Sequence, residues 1–469
     1  MKRSAKRASL VLSSFLLVSA CQHSGNTNPP ASTHKWNWVS GSNTVNQVGT
    51  YGSQGAADAA NVPGARESTI SWLDSSGRLW LFGGNGYDSV GYRGRLNDLW
   101  NYDPTTAKWT WVSGSHTIDQ AGIYGIKGVA DLSNIPGARS GAVSWIDAQG
   151  ALWLFGGLGY SEAGGYGHLN DLWEFDPTTL EWTWISGGNS AGQAGIYGTQ
   201  GAADPSNIPG ARTGAVSWID AQGQLWLFGG YGYDSVGTKG WLNDLWKYDP
   251  TTLEWTWMSG SVTGGQAGTY GTKGTADPAN VPGGRYTAIS WLDSNGSLWL
   301  FGGEGLDSDS SWGNLNDLWE YDPATLEWTW ISGASSIGGL GTYGTQDTPA
   351  STNVPGSRTG AVSWIDTKGQ LWLFGGYGDD SASANRWLND LWTFNPTKLE
   401  WAWISGSSTG GAKGSYGTKG TADTSNYPGA RYAAASWMDS SGRLWLFGGY
   451  GADSAGAGGW LNDLWHFTK

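Results

Sequence analysis

Six arginines recur at a fixed interval, and they are the first residues in the chain whose spacing suggests chemistry. They lie 73 positions apart, and each opens an apolar segment: Arg66, Arg139, Arg212, Arg285, Arg358 and Arg431. Guanidinium groups that recur beside the long loops of a repeat protein could contact a ligand, because loops held by a rigid scaffold concentrate binding residues. We therefore treat these arginines as candidate binding residues. The alternative is structural: each arginine pairs with a loop aspartate such as Asp204 or Asp277, and identical recurrence in every copy favours this alternative.

Residues that break the repeat are the second group of candidates, because a ligand site in a ring normally departs from the symmetry of the ring. Trp241, Trp387 and Trp460 precede the Leu-Asn-Asp motif in three copies only. Exposed tryptophans suit contact with protein or carbohydrate, although filling the interior of a loop explains them equally well. Further departures are Glu67, Arg93, Arg95, Glu162, His168, Glu304, Asp309, Asp379 and Arg386.

Metal and nucleophile chemistry find little support in the sequence. Beyond the start of the chain the histidines are His116, His168 and His466, which fall in different copies and positions, and Cys21 is the only cysteine. None of these has the spacing of metal ligands, and Asp307 to Asp309 lacks the full pattern of a calcium loop. No serine stands out as a nucleophile. The sequence predicts no cofactor and no metal, and it favours a non-catalytic protein over an enzyme.

The element that must position these residues is a repeat of four short strands. In the third copy the predicted strands are Gly214–Ile219, Gln224–Phe228, Leu242–Tyr248 and Glu254–Met258, joined by hairpin turns rich in Asp, Pro, Gly and Thr. The second strand reads Leu-Trp-Leu-Phe without polar alternation, which indicates burial on both faces. Copies at a fixed period, each a four-stranded antiparallel meander covered on both faces, predict a β-propeller.

The repeat resembles the kelch motif. The resemblance rests on the pair Gly229-Gly230 after an apolar strand, the following Leu242-Asn-Asp-Leu-Trp-Lys-Tyr248, and Trp255 shortly beyond. It covers nearly the whole chain from Trp36 to Lys469, although the period of 73 exceeds the roughly 50 residues typical of kelch repeats. The resemblance implies propeller blades, and in some kelch proteins arginines in this region bind acidic peptides. Galactose oxidase shares the blade, but its copper ligands find no match here.

The two ends of the repeat array predict how the ring closes. The chain begins with a lone fourth strand, Trp36–Val39, and stops after a third strand, Trp465–Phe467. The first strand must therefore complete the last blade, as it does in kelch propellers. We predict an all-β, six-bladed β-propeller of four-stranded antiparallel blades, closed by the N-terminal strand.

The front of the chain predicts export and lipidation. Residues 1–20 combine a basic start with a short apolar run and read as a lipoprotein signal peptide. The segment Val18-Ser-Ala-Cys21 resembles the lipobox of bacterial lipoproteins, which implies lipidation of Cys21; an ordinary secretory signal is the alternative. By resemblance to Gram-negative lipoproteins, Gln22 after the cysteine favours delivery of the protein to the outer membrane. Residues 21–35 read as a flexible tether and residues 36–469 as the propeller.

Charge and loop lengths limit the partners. The 26 basic and 39 acidic residues argue against nucleic acid. The long loops, such as Gly229 to Trp241 and Ser259 to Gly284, are expected on one face, and loops on a rigid scaffold carry binding residues. We expect a monomeric, lipid-anchored propeller in the bacterial cell envelope that binds protein or carbohydrate on this face. The alternatives are a glycan-processing enzyme with carboxylates at the channel mouth, by analogy with kelch proteins that epimerise sialic acid, and a scaffold without a discrete ligand.

Overall fold

The computed structural model describes residues 34–382 and 385–468. Within these ranges the regular structure consists of antiparallel strands without a helix, and His34–Lys469 forms one compact unit. The predicted signal peptide, the lipidation site Cys21 and residues 22–33 of the predicted tether lie outside the described residues. The first strand begins at Lys35, one residue before the predicted start of the propeller.

The first five repeats each fold as one antiparallel sheet whose main strands follow chain order from the inside outwards. The sixth repeat comprises a four-stranded sheet, which includes the N-terminal strand, and a separate three-stranded sheet. The innermost strand of each repeat is split into two short pieces: Arg66–Glu67 and Ile70–Leu73, Arg139–Ser140 and Val143–Ile146, Arg212–Thr213 and Val216–Ile219, Arg285–Tyr286 and Ile289–Leu292, Arg358–Thr359 and Val362–Ile365, Arg431–Tyr432 and Ala435–Met438. The second strands are the buried apolar ones: Leu79–Tyr87, Leu152–Tyr160, Leu225–Tyr233, Leu298–Leu306, Leu371–Asp379, and the pair Leu444–Phe447 and Tyr450–Ala452.

The third and fourth strands complete each sheet. The third strands carry the Leu-Asn-Asp-Leu-Trp motif: Arg93–Asp103, Tyr166–Asp176, Lys239–Asp249, Trp312–Asp322, Asn385–Asn395, and the pair Gly458–Trp460 and Leu464–Thr468. The fourth strands are Lys35–Ser40, Lys108–Ser113, Glu181–Ser186, Glu254–Ser259, Glu327–Ser332 and Glu400–Ser405. A short additional strand, Ala203–Asp204, pairs with Glu254–Ser259. The antiparallel sheets and their repetition confirm the predicted β-propeller.

The inner strands are joined around a closed cycle. Each residue two positions after a recurring arginine donates its backbone N–H to the equivalent carbonyl of the preceding repeat, and the first repeat donates to the sixth: Gly141 to Ser68, Gly214 to Gly141, Thr287 to Gly214, Gly360 to Thr287, Ala433 to Gly360, and Ser68 to Ala433. A parallel cycle runs through serine hydroxyls and backbone carbonyls at the equivalents of Ser71. The strands therefore surround a central axis.

The N-terminal strand pairs with the last strand, as predicted. Lys35–Ser40 runs antiparallel to Leu464–Thr468, with Trp36 opposite Phe467 and Trp38 opposite Trp465. Trp36 is 3% exposed and packs against Phe374 of the fifth repeat as well as Phe467. The first strand of the chain thus contributes to the apolar interface between the fifth and sixth repeats.

The core lies between neighbouring sheets rather than within one of them. One apolar cluster, for example, joins Trp72 and Trp80 of the first repeat to Leu152, Leu154 and Trp173 of the second. A strand covered on both faces needs apolar residues on both, which explains the continuous Leu-Trp-Leu-Phe run. Four of the five recurring tryptophan positions are buried, and the fifth, represented by Trp111, is half-buried and donates its indole N–H to a strand-end carbonyl.

The long loop before each arginine explains the extended period. Before Arg66 the loop runs outwards along the edge of the fourth strand of its own repeat, where Gly55 and Asp58 donate backbone N–H groups to Trp111 and Trp109. Equivalent loop residues bridge the fourth strand in the other five repeats. An uncovered strand edge invites pairing with other chains, so these loops protect the rim of every sheet. Part of each long loop, which the sequence analysis assigned to binding, therefore covers the outer edge of the sheet instead.

Candidate binding site at the axial mouth

The six arginines are buried, and each is paired with an aspartate. Arg212 donates from Nη1 to Asp244 Oδ1 at 2.7 Å and from Nη2 to Asp244 Oδ2 at 2.8 Å, and its Nε and Nη1 also donate to the carbonyls of Gly210 and Gly229. The other five pairs have the same geometry: Arg66–Asp98, Arg139–Asp171, Arg285–Asp317, Arg358–Asp390 and Arg431–Asp463. Because each guanidinium nitrogen is hydrogen-bonded and the side chain is 1% exposed, Arg212 is not accessible to a ligand.

The recurring tyrosines complete this cluster. Tyr197 donates its hydroxyl to Asp244 Oδ2 at 2.6 Å, and Trp246 donates its indole N–H to the same oxygen at 2.7 Å. Burial raises the pKa of Tyr197, and the nearby Asp244 charge raises it further. One carboxylate thus ties the inner strand, the third strand and the long loop of its repeat together.

The structural alternative considered in the sequence analysis was that each arginine pairs with an aspartate of the long loop. The arginines are indeed paired with aspartates, but not with those of the loop. The loop aspartates Asp204 and Asp277 are exposed and cap turns, and the actual partners are the aspartates of the Leu-Asn-Asp motif. We therefore leave the arginines out of the proposed binding surface. The recurring motif asparagines link neighbouring repeats, as Asn243 does by bonding the carbonyl of Pro282.

The residue after each arginine begins a row of three side chains that differs between repeats. This residue lies opposite one residue of the second strand, which in turn lies opposite one of the third. We call the six triplets the mouth row: Glu67–Asn85–Arg95, Ser140–Leu158–His168, Thr213–Tyr231–Trp241, Tyr286–Glu304–Asn314, Thr359–Tyr377–Trp387 and Tyr432–Tyr450–Trp460. The buried arginine beside each triplet is the same in every repeat, whereas the mouth row varies.

A cavity opens within the mouth row where the first, fourth, fifth and sixth repeats meet at the axis. Its volume is about 360 Å³. Its wall is formed by two glutamates and four large aromatic side chains: Glu67, Glu304, Tyr286, Tyr377, Tyr432 and Trp387. All six are half-buried, so each is held by the fold and still accessible. None of the described residues that line this cavity is lysine, arginine or histidine.

Hydrogen bonds orient both glutamates. Asn85 donates to Glu67 Oε1 at 2.9 Å, and the Tyr286 hydroxyl donates to Glu304 Oε2, also at 2.9 Å. Burial raises the pKa of Tyr286, and the Glu304 charge adds to the rise. Burial and then the Glu67 charge raise the pKa of Tyr432 in the same way. Both tyrosines therefore stay protonated at neutral pH and can act as hydrogen-bond donors.

The floor of the cavity contains residues in an unusual backbone conformation. Ser68, Thr287 and Ala433 have φ values of 52°, 52° and 53°, in the left-handed region. The equivalents in the other three repeats are Gly141, Gly214 and Gly360, which adopt this conformation without a Cβ penalty. Non-glycine residues held in this region cost free energy and cluster at functional sites. Here they lie in the same repeats as Glu67, Tyr286 and Tyr432.

The three predicted tryptophans belong to the mouth row, but their surroundings differ. Trp241 packs against Tyr231 and the exposed Trp312, and the guanidinium of Arg93 lies over Trp460 at 4.6 Å from the ring centre. Only Trp387 lines the cavity. All three are half-buried. The structure thus brings Trp387 together with Glu67 and Glu304, which the sequence had singled out, and adds three tyrosines that it had not.

His168 is the one histidine in the mouth row. It is 4% exposed, and burial, together with the charge of Lys239, lowers its pKa to about 4. It is therefore neutral at physiological pH. Across residues 34–382 and 385–468 there is no cluster of three or more His, Cys, Asp or Glu side chains arranged to hold a metal ion. Nor do these ranges contain a helix of the length and apolar character needed to span a membrane.

Comparison with known proteins supports the kelch-like character of the repeat. The chain is similar to Kelch domain-containing protein 3 of Bos taurus, with 26% identity over 255 residues, which are 53% of this chain and 50% of the relative. The proteins of the same name from Homo sapiens and Mus musculus match at 26% and 25% identity over a similar span. The chain therefore aligns with about half the length of these relatives. No protein-family model matches it.

Proposed function

Because the chain folds as a β-propeller of kelch-like repeats, we propose that it is a binding scaffold whose ligand docks on the mouth row. The observation that carries this proposal is that the mouth row varies between repeats while the residues beneath it do not. Residues that only maintain a blade should recur in every blade, as Arg212 and Asp244 do. The varying residues of the mouth row that are only half-buried, such as Glu67 and Trp387, are therefore available for recognition.

We further propose that the ring has six blades and that the protein is a monomeric lipoprotein of the bacterial cell envelope. The closed cycle of hydrogen bonds through Ser68 and its equivalents supports the blade count. Lipidation at Cys21, and an outer-membrane destination suggested by Gln22, rest on the sequence. An anchored propeller would keep its mouth row available to ligands outside the cytoplasm, and the ligand is a protein or a glycan.

The test of binding is a glycan array combined with capture from envelope extracts, using the purified full chain. The mouth variant Glu67→Gln/Trp387→Ala changes two residues of the cavity wall, and Asp249→Asn, in a hairpin turn of the third repeat, serves as the control. The proposal expects a ligand that the wild type and the control bind and the mouth variant loses. A ligand bound equally by all three proteins would place recognition elsewhere.

A second function, processing of a glycan, is favoured by one observation: Glu67 and Glu304 line the same cavity. Paired carboxylates can serve as general acid and general base on either side of a sugar. Turnover of an array-positive glycan that stops in Glu304→Gln, with binding retained, would favour this function over simple recognition. Binding without turnover in the wild type would favour the scaffold.

A further inference from the structure

We infer that the mouth cavity binds an organic cation, held between the carboxylates of Glu67 and Glu304 and against the rings of Trp387 and Tyr377. This inference rests on the proposed binding role of the mouth row and names the chemistry of the ligand. An ammonium group, on a basic side chain or on a small molecule, is the class of ligand that this wall would recognise.

The charge of the cavity is the first argument. The two glutamates are the only charged side chains among its described lining residues. Each has one oxygen oriented by a neutral donor, Asn85 or Tyr286, and neither donor neutralises the carboxylate. Glu67 Oε2 is shielded from solvent, and the side chain that interacts with the Glu67 carboxylate from the sixth repeat is the neutral Tyr432 hydroxyl. The neighbours of both glutamates are thus neutral donors, and a cationic ligand would supply the counter-charge that they do not provide.

The aromatic wall is the second argument. Aromatic faces attract cations through their quadrupole, tryptophan most strongly, and groups of aromatic rings recognise quaternary ammonium ligands. Trp387, Tyr286, Tyr377 and Tyr432 all line the cavity. Aromatic rings also stack on sugars, so this wall alone does not select a cation. The combination with two carboxylates does, because a neutral sugar would leave their charge uncompensated.

The protein itself places cations on the equivalent aromatic positions of other repeats, and this is the third argument. Arg93 lies over Trp460, the equivalent of Trp387 in the sixth repeat, at 4.6 Å from the ring centre. Lys239 lies over Tyr231, the equivalent of Tyr377 in the third repeat, at 5.2 Å. In the fifth repeat no lysine or arginine among the described residues lies over either ring. The position that an internal cation fills elsewhere is here open to the cavity.

The size of the cavity limits the ligand to a small group. A volume of about 360 Å³ is near the lower end of the range for small-molecule pockets. It can hold a trimethylammonium headgroup or the end of a basic side chain, with the remainder of a larger ligand lying across the rest of the mouth row. Recognition of one cationic group within a larger ligand therefore agrees with the binding role proposed above.

The experiment compares choline with its uncharged isostere 3,3-dimethylbutan-1-ol, and with galactose as a neutral sugar, by ligand-observed NMR titration of the purified full chain. The inference expects choline to bind at least about fivefold more tightly than the isostere, the ratio that a modest cation–π contribution implies. Glu67→Gln and Trp387→Ala should each weaken choline binding. Asp249→Asn should not, because Asp249 lies in a hairpin turn and does not line the cavity.

Each outcome decides between the two proposals. Equal binding of choline and its isostere, or loss of choline binding in the Asp249→Asn control alone, overturns the cation inference. Binding of galactose without choline, lost in Trp387→Ala, also overturns it but leaves the mouth row as the binding surface. If no probe binds and the mouth variant loses no captured ligand, both proposals are wrong. A far-ultraviolet circular dichroism spectrum for each variant establishes that it is folded.

Discussion

Arg212 and Asp244 lie 32 residues apart in the chain and meet in a buried, doubly hydrogen-bonded ion pair, with N–O distances of 2.7 and 2.8 Å. Their side chains are 1% and 0% exposed, and Tyr197 and Trp246 donate to the same carboxylate. The cluster connects three segments of each repeat, and its recurrence explains why the arginines are invariant across the repeats.

The first prediction concerns this cluster. Asp244→Asn should lower the free energy of unfolding by about 3–5 kcal/mol, because it leaves a buried guanidinium without its counter-charge. The matched control is Asp249→Asn in an exposed turn, where the fifth repeat itself has Asn395. The control should change stability by less than about 0.5 kcal/mol. Urea denaturation measures both, and equal stabilities of the two variants would contradict the role given to the pair.

Much of the architecture follows from the sequence, because it depends on local patterns that recur. The double glycine, the uninterrupted apolar second strand and the unpaired strands at the two ends predict sheets, propeller and closure. The partner of Arg212 could not be predicted in this way. Each repeat holds several recurring aspartates, such as Asp220, Asp244 and Asp249, and only the pairing of strands brings one of them to the arginine. The one sequence feature that could have indicated this pairing is that Arg212, Tyr197 and Asp244 all recur at the same interval.

The candidate site was predictable only in part, for the same reason. Glu67, Glu304 and Trp387 stand out because they break the repeat. Tyr286 and Tyr377 resemble ordinary strand residues in the sequence. Their relation to the glutamates depends on strand register, which sets Tyr286 opposite Glu304 and Tyr377 opposite Trp387, and on the ring, which brings distant repeats to one axis.

The second prediction concerns closure of the ring. Trp36→Ala should lower the free energy of unfolding by about 3–5 kcal/mol, since it removes a buried ring from the interface of the fifth and sixth repeats. Trp109→Ala, the same position in the first repeat, is the matched variant and should cost a similar amount. A denaturation curve unchanged by Trp36→Ala alone would mean that the first strand does not contribute to the stability of the ring.

The third prediction concerns acid stability at the closing strand. Burial, followed by the charge of Arg443, lowers the pKa of His466 to about 4, and Asn37 Nδ2 lies 3.0 Å from its Nε2. An unfolded histidine titrates near about 6.5, so the stability contributed by the neutral ring is complete above that pH and is lost as the pH falls towards about 4. His466→Gln should reduce this loss. Urea denaturation between pH 7.5 and 4.5 measures it, and parallel curves for both proteins would count against the prediction.

The fourth prediction concerns the anchor. Cys21→Ser should prevent lipidation and move the protein out of the detergent phase in a two-phase separation, or leave it as an unprocessed precursor. Gln22→Ser keeps the cysteine and should leave partitioning with membranes unchanged. A mature Cys21→Ser protein that remains with the membrane fraction would show that the cysteine is not the anchor.

The most direct test of the account is the dissociation constant of whichever ligand the array or the capture experiment identifies. It should be measured for the wild type, for Glu67→Gln/Trp387→Ala at the mouth, and for Asp249→Asn/Thr251→Ala in a hairpin turn of the third repeat. The account predicts at least about a tenfold loss of affinity in the mouth variant, as expected for an aromatic anchor at an interface, and no change in the turn variant. Unchanged affinity in the mouth variant together with loss in the turn variant would contradict it.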